Sequence, residues 1–201
     1  MTRVISILFV IAFAVFPVVP GVAFAAVNEL DSDEDGISDV KELVMGTQPG
    51  NPDSDGDGYP DNHEISNGYD PLDPRPIKAR KSIRVHLKTQ TLDYSLGKAV
   101  IGHFRISSGK KSLPTPTGTF SIINKDPRAW SKLAGLWMPY WMGFKGGKFG
   151  IHELPEWPGG KKEGANHLGK PVSHGCIRLG IGDAKTLYNW APIGTPLTIT
   201  Q

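Results

Sequence analysis

The chain has a single cysteine, Cys176, among 201 residues. No disulfide can form within it, which excludes the small cross-linked scaffolds common outside the cell. Long apolar stretches are equally scarce. One run stands alone, from Val4 to Val19, broken only by Ser6 and Pro17. It falls short of the about 20 residues needed to cross a bilayer as a helix, and no other stretch is apolar enough to do so. Bases are nearly absent between residues 28 and 74, where Lys41 faces fourteen acids for a net −13. Residues 75–201 reverse the balance, with 20 bases, 6 acids and a net +14. The overall +2 therefore hides two oppositely charged segments, which implies two jobs on one chain. The acidic segment suits cations. The basic one suits an anionic polymer or is simply a solvated face. Glycine and proline are plentiful, at 24 and 17, favouring short strands and turns over long helices.

The N-terminus has the order of a secretory signal: Arg3, then the apolar run, then small residues at Ala23 and Ala25. Cleavage after Ala25 leaves Ala26 as the first mature residue and residues 1–25 as the signal. Pro17 and Pro20 speak against an uncleaved anchor, and no cysteine near the cleavage site offers a point for lipid attachment. The expectation is an exported protein of the periplasm or cell envelope. It meets a membrane only during export and has no nucleic-acid partner.

Residues 26–74 carry a tandem repeat with a period of 22. Asp31-Ser32-Asp33-Glu34-Asp35-Gly36-Ile37-Ser38-Asp39-Val40-Lys41-Glu42 aligns with Asp53-Ser54-Asp55-Gly56-Asp57-Gly58-Tyr59-Pro60-Asp61-Asn62-His63-Glu64. Ca²⁺ takes six to eight oxygens. A twelve-residue loop supplies them from positions 1, 3, 5, 9 and 12 and from the carbonyl at 7, with Gly at 6 for the sharp turn. The candidate ligands are Asp31, Asp33, Asp35, Ile37, Asp39 and Glu42 in one loop. In the other they are Asp53, Asp55, Asp57, Tyr59, Asp61 and Glu64. Residues 43–52 include Gly46, Pro49, Gly50 and Pro52, so no pair of flanking helices is expected. The pattern resembles the thrombospondin type 3 calcium repeats. That resemblance implies a small, mostly irregular module, with Ca²⁺ in a structural part, that folds around its ions.

Residues 75–81 are basic and read as a linker. Beyond it, Ile83, Val85 and Leu87 alternate with polar residues, as do Leu92, Tyr94 and Leu96. These are half-buried strands. Further strands are expected at 99–107, 118–124, 149–152 and 196–200, with a short helix from Asp183 to Trp190. Residues 82–201 thus form a mainly β domain with one small helix, its sheet closed or sandwiched.

Cys176 lies in Ser173-His174-Gly175-Cys176-Ile177-Arg178-Leu179. A nearby histidine, a glycine that permits an unusual turn and an arginine together favour a thiolate. Upstream, Gly150-Ile151-His152 ends a strand. These segments, with Pro114-Thr115-Pro116-Thr117-Gly118-Thr119-Phe120, resemble the L,D-transpeptidase catalytic-domain family over about residues 82–200. The resemblance implies a β-sandwich-like domain acting on peptidoglycan stem peptides without a catalytic cofactor. It makes Cys176 the nucleophile, His152 the general base and His174 a second site histidine. Ser173 and Gly175 shape the turn, and Arg178 stands where relatives carry Asn or Arg. It further implies that carbapenem-type β-lactams acylate Cys176.

Two departures from the family pattern stand out. The gap from His152 to His174 is long and includes Trp157-Pro158-Gly159-Gly160, the charged run 161–163 and a rival histidine, His167. It reads as an inserted loop over the site. Glu153 also follows His152 where a glycine is common. The expected chemistry is attack of the thiolate on the carbonyl of the third stem residue, release of terminal D-Ala, and transfer to an amine. Backbone N–H groups around residues 174–176 would hold the oxyanion. Water as acceptor would make the enzyme a carboxypeptidase or hydrolase. A noncatalytic wall-binding module is the remaining alternative. The aromatics Trp130, Trp137, Tyr140, Trp141, Phe144 and Phe149 floor a cleft or fill core.

Overall fold

The computed structural model describes residues 30–201. The signal and its cleavage site lie outside the described residues. Among the described residues, no helix is long and apolar enough to cross a membrane.

Each acidic loop runs into a short helix, α1 (Asp39–Met45) and α2 (Asp61–Asn67). The expectation of no paired flanking helices holds, but the single following helix was not anticipated. It starts inside the loop, with Asp39 and Glu42, or Asp61 and Glu64, in its first turn, where carboxylates favour the helix N-terminus. Gly46 and Gly68, at φ 88° and 76°, end the two helices in the left-handed region after seven residues. The glycines and prolines of 43–52 therefore shorten the helix rather than forbid it.

The rest forms nine strands: β1 (Lys81–His86), β2 (Thr91–Leu96), β3 (Ala99–Ser107), β4 (Gly118–Ser121), β5 (Asn124–Ser131), β6 (Leu136–Phe144), β7 (Phe149–Glu153), β8 (Ile177–Leu179) and β9 (Pro196–Thr200), with α3 (Asp183–Trp190) before the last. The sheet order is β4-β9-β1-β2-β3-β8-β7-β6-β5. β3 holds the two halves together: it pairs with β2 along most of its length, then with β8 at Ile106–Leu179 and Ser107–Arg178. The two outermost strands are consecutive in the chain. At their junction Ile122 bonds to Thr195 and Gly194 beside β9, while the next residue, Ile123, donates to Gly143 of β6. The sheet is thus curled until its ends meet.

The concave side holds one core. Ile83, Val85, Leu92, Ile106, Met142, Phe144, Ile151, Ile177, Leu179, Leu197 and Ile199 interdigitate there, with Ala184 and Leu187 of α3 laid over them. Gly182, not Asp183, caps α3, and it does so with φ 92° and no side-chain bond. At the other end, Lys81 donates to the Trp190 carbonyl and Lys125 to those of Tyr188 and Ala191, cations placed on a helix C-terminus.

The acidic module sits against the β2–β3 hairpin. Asp70 Oδ2 accepts the Lys98 N–H at 2.8 Å, and Lys98 Nζ reaches the Leu72 carbonyl at 2.9 Å. Gly97 has φ 60°, and a Cβ there would stand 2.1 Å from the Asp70 carboxylate, so both its conformation and its closeness demand glycine.

Candidate active site and cation loops

β7 and β8 run parallel, pairing Ile151 with Ile177 and His152 with Arg178. Ile151 and Ile177 point into the core and are fully buried. Strand alternation then puts His152, Arg178 and Cys176 on the opposite face, with Gly150 beside the cysteine. The Gly150 N–H faces the Cys176 sulfur. Cys176, just before β8, and His152 on β7, the expected nucleophile and base, therefore come to one face of the sheet, although 24 positions of sequence separate them.

His152 is 3% exposed. Its Nδ1 lies 2.6 Å from the Glu153 carbonyl and donates to it, leaving Nε2 free to accept. Burial, then the charge of Arg178, pushes its pKa down to about 4, against the pull of the Glu153 bond. Burial pushes the Cys176 thiol up, opposed by the Gly150 N–H and Arg178. Both shifts favour the uncharged forms, imidazole and thiol.

The turn before Cys176 is built by Ser173, whose Oγ donates to the Cys176 carbonyl at 2.5 Å and accepts from the Gly175 N–H at 3.1 Å. Gly175 has φ 110°, and a Cβ there would sit 2.7 Å from the Phe149 ring. Its N–H is engaged by Ser173, so among residues 174–176 only those of His174 and Cys176 remain for an oxyanion. Thr115, from the proline-rich loop, donates to the Gly175 carbonyl at 2.9 Å and accepts from Gly109 at 2.8 Å. That loop therefore braces the nucleophile turn. His174 itself is exposed.

Trp141 is the aromatic that matters here. Its ring stacks on His152 with centroids 6.0 Å apart, and its Nε1 donates to Asn124 Oδ1 at 3.0 Å. It covers Gly150 so closely that a Cβ there would be 2.4 Å from the ring. Phe144 fills core, and Trp130 and Trp137 pair edge to face further along β5 and β6. The composition of the aromatic cluster pointed here without separating Trp141 from the rest.

The insertion closes beside the site through three side chains. Lys162 pairs with Glu153 Oε1, whose other oxygen accepts the Gly182 N–H at 3.2 Å. Glu153 thus ties the insertion to the start of α3. Glu163 takes Arg178 Nη1 on both oxygens at 2.9 Å. His167 lies with its Nδ1 3.1 Å from Glu163, away from the base position. The sequence marked Glu153 only as a departure from the family pattern and Glu163 only as part of a charged run, with no role for either.

In the acidic loops, Gly36 and Gly58 turn at φ 96° and donate to the first aspartate, Asp31 or Asp53, at 3.0 and 2.8 Å. Carboxylate oxygens of Asp31, Asp33 and Asp35 lie within 4.8 Å of one another, as do those of Asp53, Asp55 and Asp57. One oxygen each of Asp31, Asp33, Glu42, Asp55 and Glu64 is buried without a hydrogen-bond partner among the described residues. Burial and the neighbouring aspartates raise Glu42 to about 7 and Glu64 to about 8. Converging, unpaired and mutually repelling oxygens fit a divalent cation. Asp39 and Asp61 differ from the other expected ligands. Both oxygens of each accept from the backbone N–H and Oγ of Ser32 or Ser54, so they brace the loop. Ile37 and Tyr59 donate their N–H groups to Asp35 and Asp57, leaving their carbonyls free of those bonds.

Comparison with known proteins adds the following. Residues 80–199 match the L,D-transpeptidase catalytic domain, and residues 31–52 and 53–74 each match the bacterial TSP3 repeat. A Bacillus subtilis protein provisionally named L,D-transpeptidase YkuD is 34% identical over 128 residues, covering 64% of this chain and 71% of that protein. Another from the same organism, provisionally named L,D-transpeptidase YciB, is 36% identical over 126 residues, covering 59% and 64%. The crystal structure of an L,D-transpeptidase from Stackebrandtia nassauensis superposes with a TM-score of 0.52 at 27% identity, covering 63% of this chain and 58% of that one. The chain spans about three fifths of the solved structures it matches.

Proposed function

The chain belongs to the L,D-transpeptidase catalytic-domain family over residues 80–199, and from that premise we propose that it is an exported peptidoglycan L,D-transpeptidase with Cys176 as nucleophile. The observation that carries the reading is Cys176 and His152 on one face where strands β7 and β8 pair, with His152 Nδ1 held by the Glu153 carbonyl and Nε2 free. His152 takes the Cys176 proton as sulfur attacks the carbonyl carbon of the third stem residue. The Gly150 N–H steadies the sulfur, and the Cys176 and His174 N–H groups receive the oxyanion. The C–N bond breaks, and the departing D-Ala amine takes the proton back from His152. An acceptor amine then attacks the thioester, loses its proton to His152, and the thiol leaves with that proton. Water in place of the amine gives a shortened stem and a carboxypeptidase.

The domain boundaries that go with this reading are a signal at 1–25, the repeats at 26–74, a link at 75–81 and the catalytic domain from 82. The repeats hold Ca²⁺ through Asp31, Asp33, Asp35, the Ile37 carbonyl and Glu42, and through Asp53, Asp55, Asp57, the Tyr59 carbonyl and Glu64. Asp39 and Asp61, also expected as ligands, would instead brace the loops, since both oxygens of each are held by Ser32 or Ser54. The orphaned buried oxygens support this assignment.

Mass analysis of purified stem-peptide fragments incubated with the enzyme tests the function. New cross-linked products and free D-Ala are expected, with none from Cys176→Ala. Substantial turnover by Cys176→Ala would overturn the mechanism. Shortened stems without cross-links would make the enzyme a hydrolase. No product, with a thiol that a carbapenem leaves unmodified, would leave a wall-binding module.

A further inference from the structure

Glu163 lies in the insertion, outside every motif that marks the site, yet its side chain is 8% exposed and its partner Arg178 is 10% exposed. Both Glu163 oxygens hold Arg178 Nη1 at 2.9 Å. The segment carrying Glu163 is itself anchored: the Glu163 N–H donates to the Pro155 carbonyl at 2.9 Å, and neighbouring Lys162 is paired with Glu153. Arg178 sits opposite His152 in the strand register and two residues from Cys176, on their face. The charged and titratable groups around its guanidinium are therefore His152 from β7, Cys176 just before β8, and Glu163 with His167 from the insertion. β3 contributes uncharged Ser107, and its Arg105 is turned to the Leu168 carbonyl.

An unpaired arginine in this place would act on the reaction in two opposite ways. It would stabilise the thiolate of Cys176, and it would oppose the imidazolium that His152 must become when it takes the thiol proton. A carboxylate fixed on the guanidinium opposes both effects and offsets part of each. We propose that Glu163 is a positioning residue for the transfer reaction: it clamps Arg178 and offsets part of its charge, so that His152 can hold the proton it removes from Cys176. The proposal rests on the assignment of Cys176 and His152 above, and it makes the insertion part of the catalytic apparatus rather than a passive cover.

The signature is a divergence between two rates. In Glu163→Gln, iodoacetamide alkylation of Cys176 should speed up at pH 7. A fall of about one unit in the thiol midpoint raises the thiolate tenfold, and the weaker nucleophilicity of a more acidic thiol trims the gain to about threefold. Turnover of stem peptide should fall at the same time, with kcat reduced more than KM is changed. Glu163→Asp should recover part of both. A loss of shape alone would slow alkylation and turnover together, and that result, or an alkylation midpoint that does not move, would overturn the proposal. Should Glu163→Gln not fold, Arg178→Gln decides: it removes the cation and leaves the anion, so alkylation at pH 7 must slow, and an unchanged rate overturns the proposal equally. Alkylation reads only the charge around Cys176. Failure of the transpeptidase assignment shows separately, as turnover that survives Cys176→Ala.

Discussion

Cys176 and His152 share a face because each is next in the chain to a residue that the core requires. Ile177 and Ile151 are buried, and alternation leaves their neighbours on the outer face. The base is then defined by its own bond to the Glu153 carbonyl, which no other histidine duplicates. His152→Ala should slow acylation by about 10²–10⁴-fold, the usual loss for a general base. His167→Ala, which disturbs only the Glu163 contact, should cost far less. A single-turnover assay with a β-lactam or stem peptide compares them, and the opposite ranking would move the base to the insertion. The lowered His152 pKa also sets a pH dependence. In the unfolded chain His152 titrates near 6.5, whereas the folded protein holds it at about 4. Between those values the unfolded state binds a proton that the native state refuses, so stability falls as the pH drops through the window and is unaffected above it. Urea unfolding at several pH values should show this slope diminished in His152→Gln. The half-buried thiol should likewise react faster as the pH rises through and beyond the ordinary thiol range. A rate plateau from pH 5 to 7 would reveal an ion pair instead.

At the scale of elements, the nucleophile turn is held by parts distant in sequence. Thr115 brings the proline-rich loop onto the Gly175 carbonyl, and Phe149 presses on Gly175 itself. Gly175→Ala meets both a left-handed φ and that ring, and should cost about 1–3 kcal/mol. It should also lower kcat through displacement of Cys176, as thermal melting and turnover together will show. These elements were legible to different degrees. β3, α3 and β9 appear at the expected bounds because each depends on local pattern, although the cap of α3 is Gly182 and not Asp183. The β5–β6 hairpin was not visible as strands, because Asn124-Lys125-Asp126-Pro127-Arg128 has poor strand propensity and is held by pairing with β6. Cys176, His152 and the acidic repeats were readable because their chemistry is concentrated in short motifs. Glu153, Glu163 and Trp141 were not, since each acts through a partner that only folding brings near.

For the whole molecule, the bonds between Asp70, Leu72 and Lys98 join the acidic module to the catalytic sheet. None of the core cluster comes from the module, so a chain beginning near Arg80 should still fold and turn over soluble fragments. It should melt earlier than the full-length protein in calcium, because the hairpin loses its cover. Asp70→Ala, which strips the Lys98 N–H of its acceptor, should cost about 1–3 kcal/mol. Calorimetry should show calcium uptake by the full-length protein alone. Equal uptake by the shortened chain would reject the loop assignment, and inactivity of a folded shortened chain would make the module part of the site.

The meeting of the sheet's two ends at Ile122 and Ile123 has a different consequence. Exposed strand edges are templates on which identical chains polymerise. Here one outer strand, β4, has only four residues, and the other, β5, carries Lys125, Asp126, Pro127 and Arg128 along its length. A proline cannot donate to an added strand, and the charges would have to be stripped of water to accept one. The curl thus leaves a crowded population of these chains little to grip on one another while they fold, and aggregation by strand addition is opposed by the same short stretch that closes the sheet.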